Sequence, residues 1–286
     1  MTFVHVVAFS LGVAVVAGTV GSAIRTVVLP RGVPSRLARW VFILMRRMFR
    51  LRAGRRAPYE KRDRIMAFYA PLSLLTLLLA WMTLTLGGYT GVYWGLGGRS
   101  LRTAFTVSGS SLLTLGFERP SDLPATALVF SEAALGLVLL ALLITYLPSV
   151  YGAFSRREAT VTALEVRAGS PPSGVEMIER YSILGRLDRL TEVWVAWETW
   201  FVELEETHTS FPALAFFRSP QPDHSWVTAA GAVLDAASLM ASSVDVPREV
   251  QAEICIRAGY LALRRISAFF RIPFHQDPHH PANRFR

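Results

Sequence analysis

The sequence predicts an all-α integral membrane protein with three transmembrane helices. A fourth, short helix re-enters the membrane between the last two, and a cytoplasmic α-helical domain follows. Three observations predict this. The 286 residues are 52% hydrophobic, and the apolar residues come in long uncharged blocks, whereas a soluble domain of this length disperses them. The charge surplus is confined to one segment. Beyond residue 155 apolar side chains recur at helical rather than alternate spacing. No βαβ alternation and no G-x-G-x-x-G occurs there, which argues against a dinucleotide-binding regulatory domain.

The blocks give the spans. No charged residue occurs from Met1 to Ile24 or from Ile65 to Gly98, and Glu132 is the one exception between Leu123 and Ser155. A helix needs roughly 20 apolar residues to cross a bilayer, so each block holds one span, near Phe3–Ile24, Ala67–Leu86 and Leu128–Leu147. The small residues Val20–Ala23 invite a signal-peptide reading. The basic charge follows this block instead of preceding it, so a retained first span, residues 1–28, is expected.

The chain carries 30 Lys and Arg against 21 Asp and Glu, and 13 of the bases lie between Arg25 and Arg64, opposed there by Glu60 and Asp63 alone. A basic segment of this kind often binds nucleic acid. Lying between two spans, it reads instead as a determinant of topology, because Arg-rich loops stay in the cytoplasm. The N-terminus is then outside, residues 25–64 inside, 87–124 outside and the C-terminal half inside, in a plasma or inner membrane. Nucleic acid is not an expected partner. Within the basic segment 29–64, Arg36, Arg39, Arg46, Arg47 and Arg50 share one helical face, with Leu37, Trp40, Val41, Leu44, Met45 and Met48 on the other. That pattern suits an interfacial helix whose arginines reach lipid headgroups.

The module 65–155 holds the second and third spans, and SRRE (155–158) marks the membrane exit. In the domain 156–275, GSPPSG (169–174) breaks a helix. Residues 175–207 form one or two amphipathic helices, 227–243 and 247–270 form further ones, and the tail 276–286 is expected to be disordered. The lone Cys255 excludes an intrachain disulfide, and burial is its expected role.

Between the second and third spans lies SLLTLGFERP, residues 111–120. Lipid cannot satisfy bare backbone, so an irregular segment at membrane depth is buried in protein or lines water. Residues 100–111 suit a short helix entering from outside, with TLGF as extended backbone and ERPSDLP returning the chain to the surface. Carbonyls of such a turn, repeated about an axis, replace the hydration shell of a cation. Gly116 permits backbone angles that side chains forbid.

From Ile65 to about Arg157 the sequence resembles the two-helix, pore-loop module of potassium channels. The family's filter reads Thr-x-Gly-Tyr/Phe-Gly-Asp, and here Thr114, Leu115, Gly116 and Phe117 match it. The resemblance implies a pore-loop cation channel fold with K⁺ bound at these four residues, a homotetramer, a gating hinge at Gly136 and a second bend at Pro148. Glu118 and Arg119 stand where the family has glycine and aspartate, at the outer mouth. Four Glu118 side chains either ring the mouth and concentrate cations or pair with Arg119. The expected function is a tetrameric, potassium-conducting cation channel gated by the inner helix and cytoplasmic domain. The alternatives are a nonselective cation channel, or a non-conducting scaffold or sensor.

Glu132 is the one carboxylate within a span, and intramembrane ionisable residues are functional candidates. It either faces Ser108, Ser110 or Ser111 in support of the filter or snorkels to the surface. In the cytoplasmic part Glu205, His208, Arg218 and His224 are candidates for a ligand pocket. The Glu205–His208 spacing occurs in metal sites, but no second carboxylate–histidine set accompanies it. No nucleophile elbow, Walker motif or HExxH occurs, so neither a catalytic residue nor a cofactor is expected.

Overall fold

A computed structural model describes residues 3–29, 35–53, 65–219, 221 and 224–274. Among these, every regular element is a helix. By internal packing the chain divides into two compact units, Met1–Gly152 with Phe216–Arg218, and Ala153–Ala215 with Ser219–Arg286.

In the first unit α1 (Phe3–Ala23) runs into a wider turn, Ile24–Val28, where the Leu29 N–H reaches back to the Ile24 carbonyl. Next come α2 (Arg36–Ala53), α3 (Tyr69–Gly95), α4 (Leu101–Leu112) and α5 (Leu123–Ala168). Three helical stretches are long and apolar enough to cross a membrane: Phe3–Val28, Ile65–Gly95 and Leu123–Ala168. The chain therefore has the build of a membrane protein. Phe3, Leu11, Leu79, Phe130 and Ile144 on these helices remain exposed, as side chains facing hydrocarbon do.

The first and second of these helices meet through glycine. A Cβ on Gly12 would lie 2.4 Å from the Gly88 carbonyl oxygen, so only hydrogen fits there. Small residues let membrane helices approach in this way, and dispersion between the backbones holds them. Farther along, Trp81 Nε1–H donates to Ser22 Oγ at 3.0 Å, and Ser22 Oγ shares a 2.7 Å hydrogen bond with Ser35 Oγ. Ser35 Oγ also accepts the Ala38 N–H at 3.1 Å, capping α2. The Tyr69 hydroxyl donates to the Phe42 carbonyl at 2.9 Å and ties the middle of α2 to α3.

The apolar face of α2 is not uniform. Ala38, Val41 and Met45 are buried with Leu77 and Trp81 of α3, whereas Trp40, Leu44 and Met48 are exposed. The apolar face divides because one side docks on the neighbouring helices. Periodicity in one segment does not reveal where a second helix lies.

Helix α5 is one piece of 46 residues and contains Pro148. The ring removes an N–H and crowds the preceding turn, yet the helix neither ends there nor at SRRE. Ser149 Oγ bonds to the Thr145 carbonyl nearby at 2.9 Å. The helix stops at Gly169, whose φ of +78° suits glycine and whose N–H bonds to the Glu165 carbonyl at 2.9 Å.

The second unit packs the end of α5 with α6 (Gly174–Ile183), α7 (Leu190–Ser210), α8 (Trp226–Ser242) and α9 (Val250–Phe270). Its core joins Val161 and Leu164 to Trp194, Trp197 and Phe201 of α7, the alanine-rich face of α8, and Ala252 and Ala262 of α9. Glu249 accepts the Trp194 Nε1–H at 3.1 Å. Cys255 is buried, and burial pushes its thiol up to about 12, which makes it inert as a nucleophile. The basic stretch 54–64 and the tail 276–286 lie outside the described residues.

Candidate functional site

The filter-like segment stands on α4 and the turn that leaves it. Ser100 caps α4, its Oγ accepting the Thr103 N–H at 3.1 Å. Ala104, Val107, Ser108 and Ser111 are buried, packed in part on Tyr89 and Tyr93 of α3. The helix ends at Leu112, and the chain reverses twice in left-handed conformation, at Thr114 (φ +56°) and Gly116 (φ +71°). For Thr114 this backbone is unfavourable by about 1–2 kcal/mol, so the surroundings must hold it.

Ser110 does much of the holding. Its carbonyl accepts the N–H groups of Leu115 at 2.8 Å and Gly116 at 3.3 Å, and its Oγ accepts the Glu118 N–H at 3.1 Å. Leu113, Leu115 and Phe117 remain exposed. An ion pair between Arg99 and Asp122 fastens the two ends of the segment. Asp122 also begins α5, its Oδ2 accepting the Ala125 N–H at 3.2 Å. Thus the turn is open at its tip, pinned from behind and tied at its base.

Behind the turn sits Glu132, fully buried. Ser108 Oγ donates to its Oε1 at 2.5 Å, and the Tyr93 hydroxyl donates to its Oε2 at 3.0 Å. The carboxyl therefore joins α3, α4 and α5 at one point. Of the three candidate serines, Ser108 makes the short hydrogen bond to it, and the Ser111 side chain also interacts with the carboxyl. Ser111 Oγ donates to the Val129 carbonyl at 2.8 Å, and Ser110 serves the turn. Gly136, one turn farther along α5, faces the end of α4: a Cβ there would lie 2.4 Å from the Leu112 carbonyl oxygen. Its lack of a side chain thus has a packing reason, independent of any hinge.

Glu118 is partly covered and Arg119 exposed, and no ion pair joins them within the chain among the described residues. Gly116 has open space where a Cβ would go. Its requirement for glycine rests on the positive φ rather than on a clash.

Three of the four residues named for a cytoplasmic pocket have partners of their own. Glu205 pairs with Arg265 of α9 at 3.0 Å, and His224 Nε2 lies 3.2 Å from Glu165 Oε2. His208 is buried, with Nδ1 2.8 Å from the Leu204 carbonyl and Nε2 3.2 Å from Arg157 Nη1. Arg218 falls in the other unit. No group of three metal-ligating side chains occurs among the described residues. Burial, and next to it the Arg157 charge, lower the His208 pKa to about 4, so the imidazole is neutral near pH 7.

Sequence alone did not single out two residues. Arg157 is buried, paired with Glu158 at 3.0 Å, and its guanidinium stands over the rings of Phe154 and Trp226. The signal was present: Ala153, Val161, Leu164 and Ala168 recur at helical spacing, and Arg157 falls on their stripe. Tyr93 was hidden in an apolar block, where a tyrosine reads as an interface residue.

No protein-family model matches the chain, and no curated protein and no solved structure matches it either.

Proposed function

We propose that the chain is the subunit of a tetrameric cation channel of the potassium-channel class. The observation that carries this is the turn after α4: Thr114–Phe117 is left uncovered by its own chain, reverses through two left-handed residues, and is fixed by Ser110 and the Arg99–Asp122 pair, while Glu132 holds the helix it leaves through Ser108. A merely structural turn has no need to expose Leu115 and Phe117 while its rear is so thoroughly bonded. One turn lines a quarter of an axial pore, so four chains are required, and carbonyls around the axis would replace the hydration shell of K⁺ at Thr114, Leu115, Gly116 and Phe117. In this reading α4 is the pore helix, α5 the inner helix with Gly136 and Pro148 as its gating positions, and the second unit is cytoplasmic. The basic segment holds residues 25–64 on that same side.

Glu118 supports a second reading, a nonselective cation channel. A side chain stands where the family's second filter glycine would be, and its N–H is committed to Ser110 Oγ at 3.1 Å.

Purified protein in planar bilayers, under opposed K⁺ and Na⁺ gradients, tests both readings. A reversal potential near the K⁺ equilibrium value supports the first, one near zero the second. Absence of current together with a stable monomer in detergent overturns both.

A further inference from the structure

Helix α2 divides into three sectors. One is docked: Ala38, Val41 and Met45 are buried against the neighbouring helices, and the Ser35–Ser22 and Tyr69–Phe42 hydrogen bonds fix it there. A second is apolar and open, formed by Trp40, Leu44, Met48 and Leu51, with Trp40 70% and Leu51 83% exposed. The third carries Arg36, Arg39, Arg46, Arg47 and Arg50, all exposed. No acidic residue precedes Glu60 in the chain to neutralise them.

The docked sector prevents the helix from rolling about its axis. The apolar and arginine sectors consequently hold a fixed orientation beside two membrane-length helices. We infer that α2 is a binding surface for anionic phospholipid, acyl chains lying against Trp40, Leu44 and Leu51 and phosphate groups meeting the arginines. A bare hydrocarbon surface would leave five charges without counterions, and a soluble anion would leave the tryptophan and leucines in water. A phospholipid with a net negative headgroup satisfies both adjacent sectors at once. Guanidinium suits this partner because its fork of N–H donors engages phosphate oxygens in pairs. The assignment does not depend on whether the chain conducts ions.

The test uses the full chain reconstituted in phosphatidylcholine vesicles with a minor fraction of acyl-brominated phosphatidylglycerol, or the same fraction of brominated phosphatidylcholine. Bromine quenches nearby tryptophan, and the difference between wild type and Trp40→Phe isolates Trp40 from the other indoles. The expected result is stronger quenching of Trp40 by the anionic lipid. The preference should fall about fivefold for each arginine that reaches a headgroup when it is replaced by glutamine. The combined Arg39, Arg46, Arg47 and Arg50→Gln variant should lose it, and the corresponding Arg→Lys variant should retain most of it. Because these side chains are exposed, the variants leave packing intact. Equal quenching by the two lipids in wild type would overturn the inference by reducing α2 to an ordinary lipid-facing helix. Preference persisting in the glutamine variant would overturn it by placing the charge elsewhere. Quenching by neither lipid would overturn it by showing the face covered by protein.

Discussion

Substituting Gly136 separates two roles that a glycine in this helix can have. As a hinge it would be chosen for flexibility. Alanine would then stabilise the helix by about 1 kcal/mol through propensity alone. In the structure, an added Cβ would stand 2.4 Å from the Leu112 carbonyl oxygen and 3.1 Å from Leu112 Cδ1, where ordinary contact begins at 3.4 Å. The obstacle is backbone, so α4 and α5 must part by about 1 Å, and forcing an extra methyl into a packed interface costs about 1–3 kcal/mol. With the propensity gain subtracted, Gly136→Ala should lose up to about 2 kcal/mol. For a chain of this size that is a fall of about 2–4 °C in Tm per kcal/mol. Thermal unfolding of detergent-purified protein, followed by loss of the monodisperse species, measures it. Gly231→Ala is the control, since nothing lies within 4 Å of a Cβ there, and its Tm should not fall. A Gly136→Ala protein more stable than wild type by the full propensity gain of about 1 kcal/mol would refute the packing argument.

The same geometry gives three further expected outcomes. Glu132→Leu should destabilise the protein by about 1–3 kcal/mol, because it takes the carboxylate acceptor from the buried Tyr93 hydroxyl and leaves Ser108 only the Leu86 carbonyl; Glu132→Gln, which keeps an acceptor, should cost less, and equal losses in Tm would count against the bonding. The depressed pKa of His208 gives the protein stability that is fully present above pH 6.5 and lost as the pH falls toward about 4, since the unfolded chain takes up the proton first. The loss reaches about 3 kcal/mol, and a Tm–pH profile for His208→Gln as steep as wild type would refute it. On the channel reading, Glu118→Gln should lower cation conductance at low salt and leave it unchanged at high salt, because a charge ring acts over a Debye length of about 8 Å at 0.15 M; identical conductance at all salt concentrations would eliminate the ring.

The helices were legible because each has a local signature: an uncharged block of membrane length, or apolar side chains at helical spacing. Glu132 was legible because a carboxylate in an apolar span draws attention whatever surrounds it. Its partner Tyr93 was not, since the hydroxyl lies 39 residues away in sequence and only the packing of α3 on α5 brings it near. The polar residues between 205 and 224 illustrate the converse. Glu205, His208 and His224 are close in sequence, but Arg265 and Glu165 from other helices claim two of them. The sectors of α2 were half visible. Periodicity separated arginine from apolar residues, but nothing local distinguished Val41, which docks, from Trp40, which does not.

The glycine contact between α1 and α3 also bears on the order in which the molecule is made. The partners that hold α1 in place, Gly88, Trp81 and Ser35, all precede Ser100. Chains emerge N-terminus first, so α1, α2 and α3 can close on one another before the end of α5 has emerged. The later helices then meet a template already presenting Tyr89 and Tyr93. A bulky residue at Gly12 would therefore act early, as a failure of the nascent chain to pair its first two spans. Its signature would be chains cleared by quality control at the ribosome's side of the membrane, not mature protein with an altered turn.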